Sequence, residues 1–309
     1  MPARKPRSTP NAARARLTVL AAGGDDAAFD AVLRELLASK QQLDREAALG
    51  VLAERPLPAL REAVRALYAY LDEDPMKRDQ GAAQRAAIIR ILRELDDPRD
   101  ADLGVLAAAT REVVFGDDIA WTLRSEGLRL LASVAPAAFP YYAVELLDDG
   151  DGIDGEPANT AFRLLAATGN YLSIYQWLVT ASPESPYLAY AFELFADGPP
   201  EIVRRFIDGT IETAIRRGDE RLCTLLAEAI VNREIEASYG TLARIMSAKL
   251  SDELYAYLAV LLASTNRPPL LAILEEQLHR GRQRLILDAL RVRTTPGHQA
   301  IIDRWERGE

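Results

Sequence analysis

Residues 150–155 read Gly-Asp-Gly-Ile-Asp-Gly, the G-x-G-x-x-G spacing whose backbone amides cradle a pyrophosphate when they open a helix. Asp148, Asp149, Asp151, Asp154 and Glu156 crowd those amides, and carboxylates so placed repel a phosphate. No acid stands about twenty residues further on, where a ribose contact belongs. The same loop fails as a calcium loop. With Asp149 at position 1, position 5 is Ile153, position 6 is Asp154 and position 12 is Thr160, where oxygen, glycine and glutamate are needed. It reads as a solvated acidic turn, with an irregular cation site as the alternative. Of the two histidines, His279 follows Glu275 by four residues, a common surface pair, and His298 follows Pro296-Gly297 in a turn. The single cysteine, Cys223, falls on the apolar side of a helix and is expected to be buried. Neither a Gly-x-Ser-x-Gly nor a His-Glu-x-x-His phrase occurs. No catalytic residue and no metal ligand is assigned, no cofactor is expected, and an enzyme has no supporting residue set.

Two groups suit binding better than catalysis. Eleven of the 21 aromatic residues lie between Phe139 and Phe195, and residues 171–182 carry no charge. A helix facing water normally shows a charged stripe. Tyr171, Tyr175, Gln176, Trp177, Tyr187 and Tyr190 are therefore expected to form a partner-binding surface, with a thick central core as the competing account. Arg280, Arg282, Arg284, Arg291 and Arg293 make the C-terminal end basic, with Asp288 the sole acid among residues 279–300. They are the alternative, phosphate-binding set. Arg4, Lys5, Arg7, Arg14 and Arg16 face no acid in the first sixteen residues, so residues 1–18 read as a flexible basic tail. The net charge of −9 argues against a dedicated nucleic-acid binder.

These groups must be positioned by a repeated element. Ala48-Leu49-Gly50-Val51-Leu52-Ala53 returns as Gly127-Leu128-Arg129-Leu130-Leu131-Ala132, as Ala161-Phe162-Arg163-Leu164-Leu165-Ala166 and as Ala191-Phe192-Glu193-Leu194-Phe195-Ala196. Looser copies start at Leu222 and Leu258, and a slipped one fills residues 86–92. The order is small, large apolar, free, large apolar, large apolar, alanine. Large residues one, three and four positions after the small one share a helix face, and the small residue admits a neighbouring backbone. The copies sit 79, 34, 30, 31 and 36 residues apart, the first gap being two repeats. A period of 30–40 residues is the length of two helices with their turns, and such units must stack to bury their apolar sides. Ala, Leu, Arg and Glu predominate, all helix formers, and alternating strand patterns are absent.

Glu156-Pro157-Ala158-Asn159-Thr160-Ala161-Phe162-Arg163-Leu164-Leu165-Ala166-Ala167-Thr168-Gly169 resembles the second half of a HEAT-type repeat, as does Asp44 to Ala53. The resemblance covers roughly residues 20 to 300. It implies an all-α, right-handed superhelix of antiparallel helix pairs, with the second helix of each pair on the concave side. The tetratricopeptide signature is missing. The expectation is one helical repeat domain over residues 19–309. It would serve as a non-enzymatic scaffold for a protein or peptide, with nucleic-acid association as the alternative. The lone cysteine fits a reducing, cytoplasmic compartment. The longest uncharged stretch, residues 164–183, is broken by Gly169-Asn170 and reads as helix, turn, helix rather than a membrane span.

Overall fold

The computed structural model describes residues 15, 17–19, 26–150, 152–182 and 184–308. The basic residues Arg4, Lys5, Arg7, Arg14 and Arg16, like Asp151 of the acidic loop, lie outside them. The chain divides into two compact units, Met1–Thr168 and Gly169–Glu309. Leu17, assigned to the tail from sequence, is helical and buried against the core of the first unit.

The first unit contains α1 (Asp26–Leu37), α2 (Gln42–Glu54), α3 (Arg61–Asp72), a single turn α4 (Pro75–Arg78), α5 (Ala83–Leu95), α6 (Ala101–Ala109), α7 (Trp121–Val134), α8 (Phe139–Glu145) and α9 (Ala158–Ala167). Helix α1 packs on α2, α3 on α5, α6 on α7 and α8 on α9. The second members of these hairpins, α2, α5, α7 and α9, pack on one another in order. One small ribbon interrupts the helices, contrary to the strand-free expectation. Val113–Val114 (β1) pairs antiparallel with Asp117–Asp118 (β2). Phe115 and Gly116 between them both take positive φ, 55° and 98°, the backbone that a two-residue hairpin turn requires.

The second unit contains α10 (Tyr171–Thr180), α11 (Leu188–Phe195), α12 (Pro200–Arg217), α13 (Glu220–Asn232), α14 (Tyr239–Met246), α15 (Asp252–Ser264), α16 (Pro268–Leu278), α17 (Gln283–Val292) and α18 (Pro296–Arg307). Helices α11, α13, α15 and α17 pack successively in one layer, and α12, α14, α16 and α18 in another. The uncharged stretch is helix, turn, helix, with Gly169 in the left-handed region at φ 74° closing α9. None of the described helices is long and apolar enough to cross a membrane.

The repeated phrase lies in helices, with Ala196 at a helix end, and its large residues face inward. Its small position (Ala48, Gly127, Ala161, Ala191) and the large residues two of its apolar positions supply (Leu49 and Leu52, Leu128 and Leu131, Phe162 and Leu165, Phe192 and Phe195) are buried. The free position is exposed at Gly50, Arg163, Glu193 and Val260. Gly127 shows why the first residue is small. A Cβ there would stand 2.5 Å from the Ala108 backbone nitrogen and 2.9 Å from the Gly104 carbonyl oxygen, so α6 and α7 meet backbone to backbone.

Arginines that the apolar rhythm does not mark tie these hairpins together. Arg45, Arg85 and Arg124 each lie in the first turn of a second helix and are buried. Arg45 donates to Gln84 Oε1 at 2.9 Å and to the Ser39 carbonyl at 3.1 Å. Arg85 reaches Asp79 at 3.1 Å, Asp72 at 3.0 Å and, on the following hairpin, Glu112. Arg124 binds Asp118 and, again one hairpin on, Asp149 at 3.1 Å. Burying a charge is tolerable only when it is paired and hydrogen-bonded, and each of these guanidiniums has several acceptors. The acidic loop is part of this system. Asp149 also accepts from Arg111 at 2.7 Å, and Glu156 takes Ser125 Oγ at 3.0 Å and Arg163 at 2.9 Å. Two of its carboxylates are thus ligands of arginines, not a solvated turn.

Candidate functional site

The aromatic segment does not form one exposed patch. Trp177 is buried, 8% exposed, so the anchor expected at this position belongs to the core of the second unit. The reason is register: Ile174, Trp177 and Leu178 share the inward face of α10. Tyr171, Tyr175, Tyr187 and Tyr190 are half-buried, and Gln176 is exposed. Tyr171 covers the turn before α12, where a Cβ on Gly198 would stand 3.0 Å from its ring. Tyr175 sets its ring against Phe195 and Phe206, at centroid distances of 6.0 and 5.9 Å, and Phe206 meets Phe195 edge-on at 5.4 Å. Such tilted and edge-on pairs suit ring quadrupoles. Most of the aromatic enrichment is therefore interhelical packing, the competing account given above.

Two of the tyrosines nonetheless sit on the lips of open grooves, in different layers. Tyr190 lines a cavity of about 420 Å³ between α11 and α13, together with Ala189, Phe192, Leu225 and Ala229, with Glu193 and Arg233 at its rim. Tyr175 lines a cavity of about 290 Å³ between α10 and α12, with Leu178, Val179, Phe206 and Gly209. Next to the first groove, Tyr257 on α15 is exposed and donates its hydroxyl to Glu228 of α13. That hydrogen bond to a carboxylate pushes the phenol up to about 12. Cys223 of α13 is buried as expected, and burial pushes its thiol up to about 11, which leaves it protonated and a poor nucleophile.

The C-terminal arginines are dispersed and mostly engaged. Arg280 pairs with Glu276 at 2.5 Å, Arg282 lies 3.3 Å from Asp252 and stacks over the Tyr255 ring, Arg284 lies 3.8 Å from Asp288 and Arg291 lies 3.4 Å from Glu306. Arg293 lines a further cavity of about 320 Å³ between α15 and α17. Carboxylates already neutralise four of the five, which lowers their value to a phosphate. His298 is not in an open turn. It is buried at the start of α18, its ring nitrogens 2.9 Å from the Arg293 carbonyl and 3.1 Å from the Ala263 carbonyl. His279 meets Trp305 edge-on at 5.5 Å, and the expected partner Glu275 binds Arg304 instead.

Sequence reading passed over the basic residues of the α10/α12 groove. Arg205 and Arg217 line it with Thr210 and Thr213, and no carboxylate is among its lining residues. They went unremarked because Glu201, Asp208 and Glu212 intervene in the chain. Helical spacing was the available signal: residues 205, 209, 213 and 217 recur every four positions and share a face. No protein-family model, no curated protein and no solved structure matches this chain.

Proposed function

We propose that the chain is a non-enzymatic scaffold that docks a protein or peptide partner in the interhelical grooves of its second unit. In this reading the hairpins are HEAT-like and wind as a right-handed superhelix, and the protein works in a reducing, cytoplasmic compartment. The observation that carries the proposal is the pair of open grooves of mixed polar and apolar lining, α11/α13 and α10/α12, each with a half-buried tyrosine among its lining residues. Tyrosine supplies contact area at small entropic cost. Volumes of about 420 and 290 Å³ are of the order that holds a few side chains.

The test blocks each groove without touching the core. Ala189 and Val179 are exposed groove residues. Ala189→Arg and Val179→Arg variants should melt like the parent chain. In affinity capture from the source cell, at least one of them should retain a specific partner about tenfold less well. Equal retention by both variants contradicts the proposal.

A further inference from the structure

The α10/α12 groove has a polarity that narrows what it can hold. Its floor is Leu178, Val179 and Phe206, with Leu222 beyond, and Val179 is 55% exposed. Gly209 lies at mid-groove, and a Cβ added there would meet nothing within 4 Å. The ends carry Arg205 and Arg217. Among the described residues neither guanidinium has an ion pair or a hydrogen bond, whereas the neighbouring Arg204 lies 3.8 Å from Asp208. In a chain with 46 acidic and 37 basic side chains, carboxylates to pair with them are not scarce. Arg217 stands in the last turn of α12, where a cation complements the helix dipole; Arg205 stands in its second turn, beyond the reach of the dipole at the start of α12.

We infer that this groove receives a linear acidic segment of a partner protein, with apolar side chains on the floor and a carboxylate at each end, one for Arg205 and one for Arg217. The inference rests on the scaffold reading and names the chemistry of its ligand. Twelve residues of helix separate the two arginines, about 18 Å along α12 at the usual rise. An extended peptide covers that distance in about five or six residues, so two glutamates about five or six positions apart, with an apolar run between them, match the site. Guanidinium–carboxylate bonds supply orientation and specificity, and the exposed Val179 side chain adds apolar contact. A polyphosphate strand fits less well. It offers no apolar group to Val179, the exposed residue of the floor.

The probes are short fluorescein-labelled peptides: an apolar run of leucine and alanine with a glutamate at each end, and the same run with glutamine or with lysine ends. Fluorescence anisotropy with the full chain should show the glutamate peptide binding about tenfold or more tighter than the glutamine peptide. An Arg205→Glu, Arg217→Glu variant should reverse the preference and favour the lysine peptide. Both arginine side chains lack partners in the fold, so the variant should melt as the parent does; if it does not, Arg205→Gln and Arg217→Gln singly should each abolish part of the preference. Equal binding of the three peptides, a preference that survives the charge reversal, or tighter binding of a labelled oligothymidylate than of the glutamate peptide overturns the inference. Groove-blocked variants that lose the cellular partner, together with no glutamate preference, would remove the acidic ligand and leave the scaffold reading intact.

Discussion

At the scale of single residues, burial separates arginines that hold the fold from arginines free to meet a ligand. Arg85 is fully buried, with acceptors on Asp72, Asp79 and Glu112. Arg163 is about half exposed and bound to Glu156 at its rim. Truncating one partner of a buried network leaves the others desolvated and unpaired, at about 3–5 kcal/mol, whereas a surface pair is worth about 0–1 kcal/mol. Chemical denaturation should therefore show Arg85→Ala losing about 3–5 kcal/mol and Arg163→Ala less than about 1 kcal/mol. Similar losses for both would mean that the network is not what joins the hairpins. The apolar rhythm could not reveal this, because an arginine in a helix normally reads as solvated. The clue lay in spacing: Arg45, Arg85 and Arg124 recur at 40 and 39 residues, and Asp79 and Asp118 each precede their arginine by six. The burial of Trp177 was hidden for the complementary reason. Absence of charge along residues 171–182 marks apolar character on every face but does not say which face is covered.

At the scale of elements, the repeated phrase carried most of the fold. Small first residues and large second and fifth residues gave helices whose inner sides are buried as the period requires. The one strand pair escaped because a two-residue ribbon is set by the backbone of Phe115-Gly116, not by an apolar alternation. Two glycines of the phrase test the packing argument in opposite directions. Gly127 is crossed by α6, so Gly127→Val should cost about 1–3 kcal/mol or more through overpacking. Gly50 is helical, exposed and has nothing within 4 Å of an added Cβ, so Gly50→Ala should stabilise by about 1 kcal/mol through helix propensity. Thermal melting reads both. A melting point unchanged by Gly127→Val would contradict the close helix approach.

At the scale of the whole molecule, both units are built by stacking hairpins so that second helices form one layer, as a repeat period of 30–40 residues leads one to expect. The binding surfaces were less legible than the architecture, since a groove is made by side chains from helices distant in sequence. Tyr175 and Val179 meet Arg205 and Arg217 only because α10 and α12 flank one cavity. Amide hydrogen exchange on the chain, free and bound to the partner recovered by capture, tests the central claim most directly. The account predicts slowed exchange concentrated along one or both grooves of the second unit, residues 172–181 with 202–217 or residues 188–195 with 222–232, with residues 26–168 exchanging as in the free chain. Slowing confined to residues 26–168, or absent from the segments of both grooves, would contradict it.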